Sequence, residues 1–196
     1  MSVQHRLSMM RLTRVAAFAF SLLFVSFLVV GTSRGAFSDT TGNVSNSVSA
    51  GSVAIEDDDS GSVMFNVSGM VPTDTAVNCI VVTYQGDTTT SSDIQLYRSG
   101  ANTGDGLDQY LDLDVEIGTG GAFGNCSGFS PSSTLFNNTL QNFAATHVDF
   151  ASALGTGWTP TGAGQSRTFR FTLTLQDDNA AQGKSAGFGF TWEARG

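Results

Sequence analysis

Between residues 167 and 175 the chain reads RTFRFTLTL, and from Phe169 on every second residue is large and apolar. Side chains of an extended strand point alternately to opposite faces. Phe169, Phe171, Leu173 and Leu175 therefore share one face, and Thr168, Arg170, Thr172 and Thr174 the other. A helix, with a period near 3.6, would scatter this pattern around its surface. The stretch predicts a strand that lies on a core and turns its polar face to water. Residues 111–117 repeat the pattern, with Leu111, Leu113, Val115 and Ile117 inward and Asp112, Asp114 and Glu116 outward. Phe188, Phe190 and Trp192 alternate with Gly189 and Thr191, and residues 63–67 and 93–98 alternate more weakly. Residues 77–84 (VNCIVVTY) are more continuously apolar and read as a central strand.

Turn chemistry separates these segments, at Asp59-Ser60-Gly61, Pro72-Thr73-Asp74, Gln85-Gly86-Asp87 and residues 102–106. Only residues 135–145 depart from the pattern. There Leu135, Phe136, Leu140, Phe143 and Ala144 recur near helical spacing, which predicts one short helix or a packed crossing. Seven to nine short strands predict an all-β fold: a single-domain antiparallel β-sandwich, jelly-roll or immunoglobulin-like, with one short helix. The composition agrees, because charged residues make up only 13% and Gly, Ser, Thr and Asn fill the turns.

A segment of another kind precedes this body. Residues 1–14 are polar, basic and free of acids, and residues 15–30 (VAAFAFSLLFVSFLVV) are apolar apart from Ser21 and Ser26. That is the order of a signal peptide. The apolar run of 16 residues is shorter than the roughly 20 a membrane span needs. Cleavage is expected between Gly35 and Ala36, which makes 1–35 a removed signal peptide and 36–196 the exported domain; a retained N-terminal anchor is the alternative. The exported part holds five basic residues against seventeen acidic ones, a net charge of −12. Such a body repels nucleic acid and anionic membrane surfaces. No nucleic-acid partner is expected, and no permanent membrane span after cleavage. Cys79 and Cys126 both lie in the exported part, where an even count favours a disulfide over two free thiols.

Catalytic constellations are missing. A metalloprotease needs a ligand cluster such as two His four residues apart, and the exported part has His147 alone. No GxSxG elbow is present for a serine hydrolase. Asp112, Asp114 and Glu116 offer paired carboxylates, yet acids alternating outward along a strand are usually a solvated face. The chain therefore reads as a non-enzyme with no catalytic residues. Asp57, Asp58 and Asp59 form an acidic turn that is a candidate for calcium, a solvated turn being the default and no EF-hand register fitting. No other cofactor or metal site is expected. Glycosylation sequons stand at Asn43, Asn66, Asn125 and Asn137.

Three stretches carry a family resemblance. The first is Gly31-Thr32-Ser33-Arg34-Gly35-Ala36-Phe37-Ser38-Asp39-Thr40, small residues at a cleavage site followed by Ala-Phe-Ser-Asp. The second is residues 43–74, a small-residue strand, an acidic turn and FNVSGMVPTD. The third is residues 182–194, closing on Phe190-Thr191-Trp192-Glu193-Ala194. In order and spacing the chain resembles the TasA/camelysin family of exported proteins, which a dedicated SipW-type signal peptidase processes. It departs from that pattern at Thr73, where the family usually has Gly, and in its cysteine pair. The resemblance implies a jelly-roll subunit of extracellular fibres in the biofilm matrix or at the cell surface. It implies self-association, with an accessory fibre subunit as a further partner, through donation of the N-terminal strand to a neighbour's sheet. Phe37, Val44 and Val48 would be the apolar anchors of that strand; an ordinary first strand in its own sheet is the alternative. A monomeric cell-surface adhesion or binding module is the second functional expectation. A camelysin-like metallopeptidase is a remote third, opposed by the missing ligand cluster.

Overall fold

The computed structural model describes residues 38–42 and 53–196, which belong to one compact unit. The segment read as a signal peptide, the cleavage pair Gly35 and Ala36, and Phe37, Val44 and Val48 lie outside the described residues.

Two antiparallel sheets face each other. The first runs β1 (Ser38–Gly42), β11 (Phe190–Arg195), β4 (Gln95–Arg98), β8 (Leu154–Gly155) in spatial order. The second runs β2 (Ile55–Asp57), β3 (Thr75–Tyr84), β9 (Gln165–Leu175), β6 (Leu111–Thr119), β7 (Ser130–Thr139). Two short strands, β5 (Thr103–Gly104) and β10 (Ala186–Gly187), pair apart from both. With β2, β5 and β10 set aside, the remaining eight strands numbered along the chain stand in the orders 1-8-3-6 and 2-7-4-5. That interleaving is a jelly roll. An immunoglobulin-like sandwich would place its first, second, fifth and fourth strands together, and that alternative is excluded.

The alternating residues meet between the sheets as expected. Phe169, Phe171, Leu173 and Leu175 of β9 and Leu111, Leu113, Val115 and Ile117 of β6 are all buried. They face Leu96 of β4 and Phe190 and Trp192 of β11. Phe171 stacks on Phe190 with ring centroids 4.4 Å apart, and Phe169 meets Trp192 edge-on at 5.5 Å. Each such pair adds about 0.5–1.5 kcal/mol beyond the area it buries.

Two local expectations are corrected. Residues 63–67 form no strand: they lie in the long connection from β2 to β3. Alternation makes a strand only where a ladder partner is free, and the nearby edge of β3 is occupied by another loop, described below. Met64 and Phe65 turn to the core in succession instead, with Phe65 6.0 Å from the Phe188 ring, and Val63 and Val67 stay in water. In residues 135–145 the first part is strand, not helix. β7 continues to Thr139, and its pairing with β6 skips Leu135 between Phe136 and Thr134. That bulge leaves Leu135 and Phe136, though adjacent in sequence, both half-buried against the core, which imitates a helical pattern. The helix α1 (Leu140–Thr146) starts only after Thr139, whose Oγ1 accepts the Asn142 N–H at 3.2 Å.

At residues 71–74 the Asp74 N–H donates to the Val71 carbonyl at 2.9 Å. Pro72 and Thr73 are the central residues, and Thr73 has φ 71°. This is a type II turn, whose third position favours glycine because a Cβ crowds the left-handed conformation. Thr73→Gly should raise stability by about 0.5–1 kcal/mol: the relief of left-handed strain slightly exceeds the entropy that Gly adds to the unfolded chain. A higher urea midpoint at unchanged slope is the expected reading, and a lower one would count against the strain.

Candidate functional site

β11 differs from β4 and β8 of its sheet. Phe190, Thr191, Trp192, Glu193 and Ala194 are all buried, so both faces of the strand are covered. Phe190, Trp192 and Ala194 point to the core. Thr191, Glu193 and Arg195 occupy the opposite face by alternation. Glu193 is only 4% exposed there. Its Oε2 accepts the Tyr97 hydroxyl at 2.6 Å, and its Oε1 accepts Arg195 Nε at 2.7 Å. The Arg195 guanidinium sits 3.5 Å from the centre of the Phe150 ring. Burial, reinforced by the Glu193 carboxylate, pushes the Tyr97 hydroxyl above its ordinary range, so it stays a donor to Glu193. The sequence reading did not single out Glu193, Tyr97 or Arg195. The available signal was the i, i+2 spacing of Glu193 and Arg195, which puts opposite charges on one strand face.

One edge of β11 pairs with β4. The other pairs with β1, in the register Ser38↔Arg195, Asp39↔Ala194, Thr40↔Glu193, Thr41↔Trp192 and Gly42↔Thr191. A strand from the start of the expected exported domain therefore closes the edge of a strand buried on both faces. The N-terminal strand takes its place in its own sheet here, which was the alternative to donation. Without β1, β11 would present unpaired backbone N–H and C=O groups beside a hydrophobic interior.

The cysteines form the disulfide Cys79–Cys126, joining β3 to the loop at residues 120–129 between β6 and β7. Ile80, Val82 and Tyr84 face the core, so Cys79 faces outward, yet it is fully buried. The loop covers it. Asp58 and Asn78 fasten the same arrangement. Asp58 Oδ1 accepts the Val81 N–H and its Oδ2 the Phe123 N–H, each at 2.8 Å. Asn78 Oδ1 accepts the Gly124 N–H at 2.9 Å, and that N–H also reaches the Cys79 carbonyl at 3.2 Å. β3 is thus central only in part: β2 pairs with residues 82–84, and the disulfide-tied loop covers the next stretch of its edge.

The calcium candidates Asp57, Asp58 and Asp59 do sit in one turn, with different tasks. Asp58 is committed to the loop. Asp57 Oδ1 accepts the Asp59 N–H at 3.3 Å. Asp59 is 5% exposed; its Oδ1 accepts the Gly61 N–H at 2.6 Å, and no donor among the described residues reaches Oδ2. Burial pushes its carboxyl up to about 6, and neighbouring Asp57 and Asp58 push the same way. Among the described residues no three His, Cys, Asp or Glu side chains are placed to hold a metal ion.

The acids of β6 are each paired across the outer face of the second sheet. Asp112 accepts from Gln176, Asp114 from Asn137, and Glu116 from Arg170 Nε at 2.6 Å. His147 closes α1: its N–H reaches the Phe143 carbonyl, and Nδ1 lies 2.8 Å from the Ser152 carbonyl between Phe136 and Phe143. A groove of about 430 Å³ opens at the end of the sandwich, floored by Met70, Leu107, Leu175 and Ala186 with Asp178 and Lys184 among its lining. No helix among the described residues is long and apolar enough to cross a membrane. No protein-family model matches the chain, and no curated protein does.

Proposed function

We propose that the chain is an exported structural subunit of extracellular fibres, in the biofilm matrix or on the cell surface, and that it assembles by giving its N-terminal strand to a neighbour. The observation that carries this reading is the placement of β1. It is a short, polar strand at the start of the expected exported domain, and it completes the edge of β11, which is buried on both faces. A strand that pairs within one chain can pair between two in the same register, since the partner groups are identical. An accessory subunit would enter the fibre by the same edge, and a dedicated signal peptidase would free Ala36.

A second reading, a monomeric cell-surface adhesion or binding module, is favoured by the same pairing taken as final. Electron microscopy separates the two. Residues 36–196, concentrated with and without calcium, should form filaments. The same chain lacking residues 36–49 should remain unpolymerised under every condition and bind an added 36–49 peptide. Filaments from the truncated chain would refute strand donation, and a persistent monomer of the longer chain would favour the binding module.

A further inference from the structure

The structure describes three of the four sequons, and it treats them differently. Asn137 lies on β7, where its Nδ2 donates to Asp114 Oδ2 at 2.8 Å across the ladder. Asn125 sits in a tight turn: its N–H and carbonyl both pair with Ala122, and its Oδ1 accepts the Ser127 N–H at 2.9 Å. The next residue, Cys126, is tied to Cys79. Asn66 has none of these ties. Asn66, Val67 and Ser68 are all exposed in the connection between β2 and β3, outside any helix or strand. Neither the Asn66 side chain nor that of Ser68 makes a hydrogen bond among the described residues.

The surroundings of Asn66 are also unusual for a surface. Val63 is 66% exposed, Val67 52% and Val71 58%, three branched apolar side chains within nine residues. A chain of this charge has no evident need to leave them bare. A bulky hydrophilic substituent at Asn66 would stand among them and over the rim of the end groove, which Val67, Ser68, Gly69 and Met70 help to form.

We propose that Asn66 is an N-glycosylation acceptor, and that among the described sequons it is the one the folded chain leaves open. This rests on the reading of the chain as exported, because the sugar donor is met only across a membrane. The donor is an oligosaccharide on a polyprenyl diphosphate. Asn66 Nδ2 forms a bond to the anomeric carbon of the sugar, the bond from that carbon to the diphosphate oxygen breaks, and the lipid diphosphate leaves with the electron pair. Nδ2 gives up one proton. A segment outside any ladder, such as residues 66–68, can bend into the enzyme that performs this transfer. A laddered or disulfide-locked segment must first break its own hydrogen bonds.

The test uses the folded full chain in detergent, disulfide intact, with an oligosaccharyltransferase and a polyprenyl-diphosphate oligosaccharide. Peptide mass spectrometry should find the glycan on Asn66 and lose that signal in Asn66→Gln. Modification at Asn125 and Asn137 should be at least about tenfold slower, the factor that one hydrogen bond of ordinary strength represents. Prior reduction and unfolding should bring their rates up. A bare Asn66, or one modified no faster than Asn137, overturns the proposal. Export is read separately, by N-terminal sequencing of the chain from medium and cells. An intracellular chain with residues 1–35 intact overturns both readings. A cleaved, exported chain with a bare Asn66, from cells that N-glycosylate other exported proteins, overturns this one alone.

Discussion

Replacing Cys79 and Cys126 together by alanine should lower the free energy of unfolding by about 4 kcal/mol, the value the chain-entropy model gives for a cross-link across 47 residues. The position of the bridge makes this large effect separable from collapse of the fold. The disulfide lies on the outer face of β3, outside the cluster packed between the sheets, so its removal should leave that cluster in place. Its loop keeps the bonds from Asp58 to Phe123 and from Asn78 to Gly124. The native state should therefore persist in the variant and in reduced protein, with unchanged far-ultraviolet circular dichroism. Guanidinium titrations of oxidised, reduced and double-alanine protein provide the measurement. The last two should coincide, well below the first. A difference under about 1 kcal/mol would mean that the unfolded chain is already held compact by other contacts.

Asp59→Asn should remove a pH dependence of comparable size. The Asp59 carboxyl is raised from 3.8 to about 6 in the folded chain. Below about pH 4 both states hold the proton, and its contribution to stability is fully present. As pH rises from there through about 6 the unfolded state has already released the proton, and the folded state must release it into a buried, acidic setting. Stability attributable to this group therefore falls with rising pH, by on the order of 2–3 kcal/mol. Asparagine keeps the oxygen that accepts the Gly61 N–H and carries no charge to bury. Subtracting the variant's pH–stability curve from that of the parent isolates the group from the other carboxylates. The difference should be near zero at pH 4 and should favour the variant by the full amount at pH 8. A flat difference would show that the turn opens to let water reach Asp59.

What the sequence revealed of this fold follows from what a pattern can encode. β6 and β9 were legible because each buries one face fully, and burial imposes a period of two on successive residues; β11 was legible from its alternating aromatics, although both of its faces are covered. The choice of jelly roll over immunoglobulin-like was not legible, because it depends on which sheet each strand joins. Nothing in RTFRFTLTL says that β3 and β6 will flank it. Residues 63–67 misled because alternation reports a preference, while a strand also needs a free edge, and a loop anchored 60 residues downstream had taken it. The cysteine pair was legible by count. The tasks of Asp58 and Glu193 were not: Asp58 stays at the surface and is committed only by its bonds to Val81 and Phe123, and Glu193 is an acid that local pattern assigns to solvent and tertiary partners bury. The N-terminal strand was legible as β-capable, and the structure adds the strand it lies against.

The register of β1 on β11 bears on mechanics. Ser38 stands opposite Arg195, so the outer ends of the two strands lie side by side. A force drawing those ends apart opens the ladder one pair at a time, like a zipper, and meets little resistance. In a fibre built by strand donation the load would enter β1 from Gly42, along the strand, while β11 stays clamped between its sheet neighbours and the core. All five pairs would then be strained together in shear. The same few hydrogen bonds would thus yield easily within a free subunit and hold firmly between joined ones.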